Sequence, residues 1–395
     1  MKLTAGDHPL LIFVGAGGVG KTTLAAATGV AAARAGRDTL VMTFDPSMRL
    51  KDALGVGEAA RENEVRVELE ASGELYASLL DARRTFDRLV DSYAPDAEAR
   101  QRVLGNRFYQ HLSGSLGGIL EYMAVERLFE VSAAGRYQQV ILDTPPTRQA
   151  LDFLEAPSRI VGFLDSGALK VALRPWFDEA GRLKATTRWG GLGRRFERFL
   201  DEVVGLDLLR DMAEFFQAFS PLYAGFRQRA TQVEELLRSP RTLFVLVAGP
   251  GEERIADTLF FARRLRQARY NLGPIVVNRV HPAGSDAFPR GLLTSVGPAD
   301  IDAAQGTGAQ AAGAQAAVAA GAVAGQVDGL ELLAWLGERD RHGLAELARL
   351  LGAEQPVVDL PLRAEEPTDL ASLADLGATL EDRLAGLQLD GRRDA

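Results

Sequence analysis

The sequence predicts an α/β fold with a mostly parallel central sheet flanked by helices, and three observations predict it. Short apolar runs of strand length alternate with stretches of helical periodicity along most of the 395 residues. Several of these runs end in an acidic residue or a proline, which suits strands whose carboxyl ends feed ligand-binding loops. Between the first run and the first helical stretch lies a glycine-rich loop, GAGGVGKTT.

That loop carries the most specific signal in the chain. Leu10–Val14 is an apolar run and Thr22–Ala35 is rich in helix formers, so the glycines join a buried strand to a helix start. Gly15, Gly20, Lys21 and Thr22 fit G-x-x-x-x-G-K-[ST], a loop whose backbone N–H groups cradle phosphate at the positive end of a helix. Lys21 would reach the β and γ phosphates and Thr22 would ligate Mg2+. The nucleotide-binding candidates are therefore Gly15, Gly17, Gly18, Val19, Gly20, Lys21, Thr22 and Thr23, with Mg2+ beside the nucleotide. A plain glycine-rich turn is the alternative, and the coincidence of strand, full motif and helix opposes it.

The remaining elements follow in order. Thr39–Phe44 reads as a second buried strand ending at Asp45 and Pro46, Glu64–Leu69 as an edge hairpin, and Leu75–Leu80 as a strand running into Asp81. Ala82–Tyr93 has helical spacing and is broken by Pro95; Ala97–Val131 reads as one or two helices interrupted near Gly114, Gly117 and Gly118. Val140–Leu142 is a short strand delivering Asp143, and Pro145 and Pro146 end it. Ser158–Ser239 is mostly helical, with Leu208, Leu209, Met212, Phe215, Phe216, Phe219, Leu222, Tyr223 and Phe226 at spacings of three and four. Such a stripe faces a core or forms a groove for an apolar partner. The basic stretch from Arg182 to Arg198, with its interspersed glycines, reads as a solvated loop rather than an anion site.

Thr242–Val247 and Pro274–Val277 add two parallel strands around the amphipathic helix Glu253–Ala268, and Asn278 closes the second. Ala303–Gln326 is an uncharged alanine, glycine and glutamine tract, expected to be mobile or weakly helical. Leu330–Leu351 resumes helical periodicity, Val357–Leu360 is a last strand ended by Pro361, and the final helix carries Leu370, Leu373, Leu376, Leu380, Leu384 and Leu387 along one side for packing on the sheet. The domain reading is one nucleotide domain over 1–395, with helical insertions at 97–131 and 158–239 and a low-complexity insertion at 296–327.

Composition narrows the partners. With 47% hydrophobic residues the chain can bury a large core, and no apolar run approaches the roughly 20 residues that span a bilayer. Met1–His8 lacks the regions of a signal peptide, so a cytoplasmic location is expected. A formal charge of -8 opposes nucleic acid as the main partner. There is no cysteine, which excludes disulfides, thiolate zinc sites and thiol catalysis, and the four histidines share no ligand spacing.

The chain resembles the ArsA-type ATPases, the deviant-Walker family that includes arsenite-pump ATPases and the ATPase of the guided-entry pathway for tail-anchored membrane proteins. The resemblance covers nearly the whole chain and rests on GAGGVGKTT at 15–23, FDPSMRLKDALG at 44–55, LDTPPT at 142–147, VVN at 276–278 and LPL at 360–362. Residues 106–128 and 215–230 look most like bacterial members of uncertain substrate.

The resemblance implies a P-loop ATPase fold and assigns roles. Asp45 would be the first-switch aspartate that orients or deprotonates the attacking water, beside Lys21 in catalysis. Asp143, ending the Walker B strand, would hold Mg2+ through water, with Thr144, Pro145, Pro146 and Thr147 as the second switch. Asn278 would read adenine and Pro361 would pack against the base. For Asp45, Asn278 and Pro361, a plain strand-terminus role is the alternative.

Two departures matter. The family commonly has a lysine where this chain has Ala16, a residue that reaches across a dimer to the partner's phosphates. Arg49, Lys51 or a lysine-bearing paralogous subunit would then supply the cation. The lack of cysteine removes both the thiolates that bind arsenite and the zinc clasp of the guided-entry homodimer, so no zinc is expected and dimerisation would rest on packing. The expected function is Mg-dependent ATP hydrolysis that opens and closes a homodimer, or a heterodimer with the paralogue, around a protein or membrane-protein client. Only five methionines give little support for an adaptable methionine-lined groove. The competing reading is a nucleotide-gated regulatory or scaffold subunit with weak turnover, paired with a catalytic paralogue.

Overall fold

The computed structural model describes residues 1–43, 49–61, 63–107, 119–145, 154–159, 161–162, 215, 222–282 and 314–390. Its centre is an eight-stranded sheet in the order β3-β4-β2-β5-β1-β6-β7-β8. The strands are β1 (Leu10–Gly15), β2 (Thr39–Thr43), β3 (Val65–Arg66), β4 (Leu75–Leu79), β5 (Gln139–Asp143), β6 (Thr242–Ala248), β7 (Leu272–Val280) and β8 (Val357–Pro361). All neighbours pair in parallel except β3, which runs antiparallel to β4 at the edge, as the alternating segment 64–69 predicts.

The strands are continuous apolar runs because both sheet faces are covered. Along β1, Leu10, Ile12 and Val14 enter one core while Leu11 and Phe13 enter the other. The Leu11 side is covered by α1 (Lys21–Arg34), α2 (Arg49–Leu54) and α9 (Leu370–Asp390). Leu373, Leu376, Leu380 and Leu384 are buried there, so the final helix packs on the sheet as its leucine side predicts. Its Gly377 lies so close to α1 that a Cβ would stand 2.4 Å from the Ala27 carbonyl oxygen.

The other face carries α3 (Ala82–Tyr93), α5 (Ile119–Ala134), α6 (Tyr223–Arg238), α7 (Ile255–Gln267) and α8 (Ala314–Leu351), with α4 (Ala97–Leu104) beside α3. Of the aromatic stripe, Phe215, Leu222 and Phe226 are buried in this core, Phe226 lying 5.8 Å from Phe86 between ring centroids. Residues 163–214 and 216–221, including the rest of the stripe except Tyr223 and the basic stretch, lie outside the described residues.

One expectation needs correction. β7 does not close at Asn278 but continues to Val280, and Arg279 takes a left-handed φ of 65° within a shift of the β7–β8 register. From Ala314 onward the alanine tract, expected to be mobile or weakly helical, runs into the helix of Leu330–Leu351 as one 38-residue element. Alanine has the highest helix propensity, so this half of the tract extends an existing helix at little cost.

A buried ion pair ties α5 to α6. Glu126, 2% exposed, accepts from Arg229 Nε at 2.5 Å and from the Tyr122 hydroxyl at 3.1 Å. Burial raises its pKa, and the bonds from Arg229 and Tyr122 only partly offset that. Removing one member leaves the other charge buried and alone, which costs about 3–5 kcal/mol. Arg229→Met is therefore expected to lose stability on that scale in urea unfolding at pH 8. Because the folded-state pKa of Glu126 is raised, its penalty grows as pH rises through that value. The deficit should shrink as the pH is lowered toward 5 and the carboxyl takes up a proton.

Candidate functional site

The carboxyl ends of β1, β2 and β5 meet in one row: Thr43 pairs with Asp143, and Asp143 with Phe13. The glycine-rich loop leaves β1 from this row. Gly15 has φ 150°, and a Cβ there would stand 2.0 Å from the Val247 carbonyl oxygen of β6. Gly18 and Gly20 have φ 76° and 94°, in the left-handed region where other residues are strained. Gly20 is also the N-cap of α1 and offers no capping side chain, so the positive end of the helix opens onto the loop.

The Lys21 side chain folds back over the loop, its ammonium donating to the Ala16 carbonyl at 2.9 Å. Thr22 at the start of α1 donates its hydroxyl to Asp143 Oδ2 at 2.6 Å. Thr43 donates to the same oxygen at 2.9 Å, and Asp143 is fully buried. Next to it, Thr144 is buried and bound twice to the Phe13 carbonyl, by its N–H at 3.3 Å and its hydroxyl at 2.8 Å. Pro145 is also buried, whereas Pro146 and Thr147 lie outside the described residues.

From the other side, β7 grips the loop. Asn278 donates its amide to the Val19 carbonyl at 2.9 Å, and a Cβ on Gly20 would meet that amide nitrogen at 2.4 Å. Arg279 donates to the Gly18 carbonyl at 3.2 Å and pairs with Glu366 at 2.6 Å. The left-handed turn at Arg279 lets two consecutive residues face two consecutive loop carbonyls. Pro361 ends β8 opposite Val280 and is exposed.

Gly15, Gly17, Gly18, Val19, Gly20, Lys21, Thr22, Thr23, Asp143, Thr144 and Asn278 are thus gathered around one loop. Asp45 falls in residues 44–48, outside the described residues, as do the side chains of Arg49 and Lys51. Sequence reasoning missed Thr43 and Arg279. For Thr43 the available signal was a hydroxyl at the last position of an apolar strand, and for Arg279 no local spacing carried one.

The oxygen donors suit a hard cation. Thr22 and Asp143 present a hydroxyl and a carboxylate oxygen within contact at the foot of the loop, a pairing that fits Mg2+. Among the described residues no group of three or more histidine, aspartate or glutamate side chains forms another metal site. No helix among them is long and apolar enough to cross a membrane.

The sequence profile of the anion-transporting ATPase family matches residues 8–290. A Halobacterium salinarum protein provisionally named an arsenical pump-driving ATPase is 33% identical over 176 residues, 42% of this chain and 26% of that protein. A protein of Aquifex aeolicus with the same provisional name is 26% identical over 277 residues, covering 69% of this chain and 63% of that one. The ATPase GET3 of Chaetomium globosum is 32% identical over 155 residues, 37% of this chain and 42% of its own length. The chain therefore spans less than two thirds of each of these relatives.

The contact between Gly20 and Asn278 can be tested directly. Gly20→Ala is expected to cost at least about 1–2 kcal/mol from the left-handed backbone alone, with the clash in addition. In a double-mutant cycle read by urea unfolding, Asn278→Ala should recover the clash but not the backbone share. Strict additivity of the two substitutions would show that the amide does not press on the loop.

Proposed function

We propose, from the premise that this chain belongs to the anion-transporting ATPase family, that it binds ATP with Mg2+ and hydrolyses the β,γ-phosphoanhydride. The observation that carries the reading is the Thr22–Asp143 contact of 2.6 Å at the foot of a loop in which Gly15, Gly18 and Gly20 hold positive φ. Mg2+, held by Thr22 and, through water, by Asp143, would neutralise charge on the β and γ phosphates. The chain's own groups do the rest. Loop N–H groups and Lys21 bind the phosphates, and Lys21 exchanges its bond with the Ala16 carbonyl for phosphate oxygens.

Asp45 follows Thr43 by two residues and is the group assigned to orient the attacking water and take its proton. Water oxygen joins the γ phosphorus as the bond to the β-bridging oxygen breaks, giving ADP and phosphate. Asn278 and Pro361 are assigned to the base. We place the protein in the cytoplasm and assign it a dimeric state, homodimeric or with a lysine-bearing paralogue, in which the switches at Asp45 and at Thr144–Thr147 pass the nucleotide state to a protein or membrane-protein client. No zinc is needed, since the chain has no cysteine to form the clasp.

Ala16 favours a second reading, a nucleotide-gated subunit with weak turnover that regulates a catalytic paralogue. Purified protein assayed for ATP binding and phosphate release separates the two. On the hydrolase reading Lys21→Ala loses nucleotide binding, while Asp45→Asn keeps it and drops kcat about 100-fold or more. Tight ATP binding with a trace turnover that Asp45→Asn leaves unchanged would select the regulatory subunit instead.

A further inference from the structure

We propose that Arg279 is a positioning residue for the phosphate loop: from β7 its guanidinium fixes the Gly18–Val19 peptide, so that the Val19 N–H is aimed at nucleotide phosphate before the nucleotide arrives. This role rests on the nucleotide-binding reading above and adds to it a residue that reading does not use.

A trans peptide is planar, and its C=O and N–H point in opposite directions. A donor that takes a carbonyl therefore sets the aim of the N–H that follows. Three side chains do this around the loop: Lys21 holds the Ala16 carbonyl at 2.9 Å, Arg279 the Gly18 carbonyl at 3.2 Å and Asn278 the Val19 carbonyl at 2.9 Å. The N–H groups set by these bonds belong to Gly17, Val19 and Gly20. Arg279 and Asn278 both approach from the end of β7, so Val19 and Gly20 present their N–H groups away from that strand. Donors preset in this way need no reorganisation when an anion docks. Lys21 gives up its carbonyl to reach phosphate oxygens, and the two supports from β7 remain.

The backbone of Arg279 is shaped for this contact. In a regular strand consecutive side chains point to opposite faces, and only one of Asn278 and Arg279 would then reach the loop. The φ of 65° at Arg279, uncommon outside glycine, breaks that alternation and brings both to it. Glu366 binds the guanidinium Nη2 at 2.6 Å while Nη1 holds Gly18, so the planar fork is steadied at both ends. Packing does not replace it. Gly18 is exposed, and a Cβ placed there would meet no described atom within 4 Å, which leaves the hydrogen bond to restrain the Gly18 end of the peptide.

The test uses the full chain in four forms, wild type, Arg279→Gly, Arg279→Lys and Glu366→Gln, each titrated with MgADP and MgATP by calorimetry. Glycine accepts a left-handed backbone, so Arg279→Gly removes the guanidinium without straining the turn. The expected results for Arg279→Gly are faster amide exchange at Val19 in the nucleotide-free protein, about five- to tenfold weaker binding of both nucleotides, and a urea midpoint close to that of wild type. Arg279→Lys, with a donor but no fork, should recover part of the affinity, and Glu366→Gln should lose less than Arg279→Gly. Wild-type affinity or unchanged Val19 exchange in Arg279→Gly would overturn this role while leaving the ATPase reading intact. So would a loss that follows a falling urea midpoint, or a loss confined to MgATP, which would make Arg279 a direct ligand of the terminal phosphate. If folded wild type binds neither nucleotide, the ATPase reading and this role fall together.

Discussion

The buried carboxylate of Asp143 is the constraint on which the site depends. A fully buried charge persists only where other groups bind it, and here two hydroxyls from different elements do so. Thr43 arrives from the end of β2 and Thr22 from the first turn of α1. Both can reach Asp143 only because β5 lies between β1 and β2 with their carboxyl ends level. The strand order, the helix start and the phosphate loop therefore answer to one oxygen atom, Oδ2.

Much of this was legible beforehand, and the reasons are local. The strands around Leu10, Thr39 and Val140 are apolar throughout because both sheet faces are covered, and continuous runs bounded by glycine, aspartate and proline are hard to mistake. Gly15, Gly18 and Gly20 sit in an ordered motif whose spacing is itself chemical information. What stayed hidden depends on distant partners. Nothing near Arg279 signals that its backbone turns left-handed, and nothing near Thr43 announces a carboxylate 100 residues away. Asn278 was singled out for the base, yet the amide nitrogen is engaged by the Val19 carbonyl, a contact no periodicity encodes. For the alanine tract, the helical alternative is the one seen from Ala314 onward, because alanine favours helix even where it offers a core little surface.

The family match ends at residue 290, and the fold does not. β8 completes the sheet beside β7, and α9 fills the core shared by Leu11, Phe13 and α1, with Leu360, Leu373 and Leu380 almost wholly buried. The Arg279–Glu366 pair reaches across this boundary as well, joining the residue that holds Gly18 to the segment after β8. Residues beyond the matched range thus pack into the same sheet and core as the loop.

The grip of β7 on the loop also orders events in time. Val19 and Asn278 are 259 positions apart, so the loop acquires this support only after most of the chain has been synthesised. A nascent chain ending before β7 already contains the complete phosphate motif yet lacks the amide and guanidinium that hold two of its carbonyls. The support of the loop is in this sense acquired late, from residues synthesised long after the loop itself.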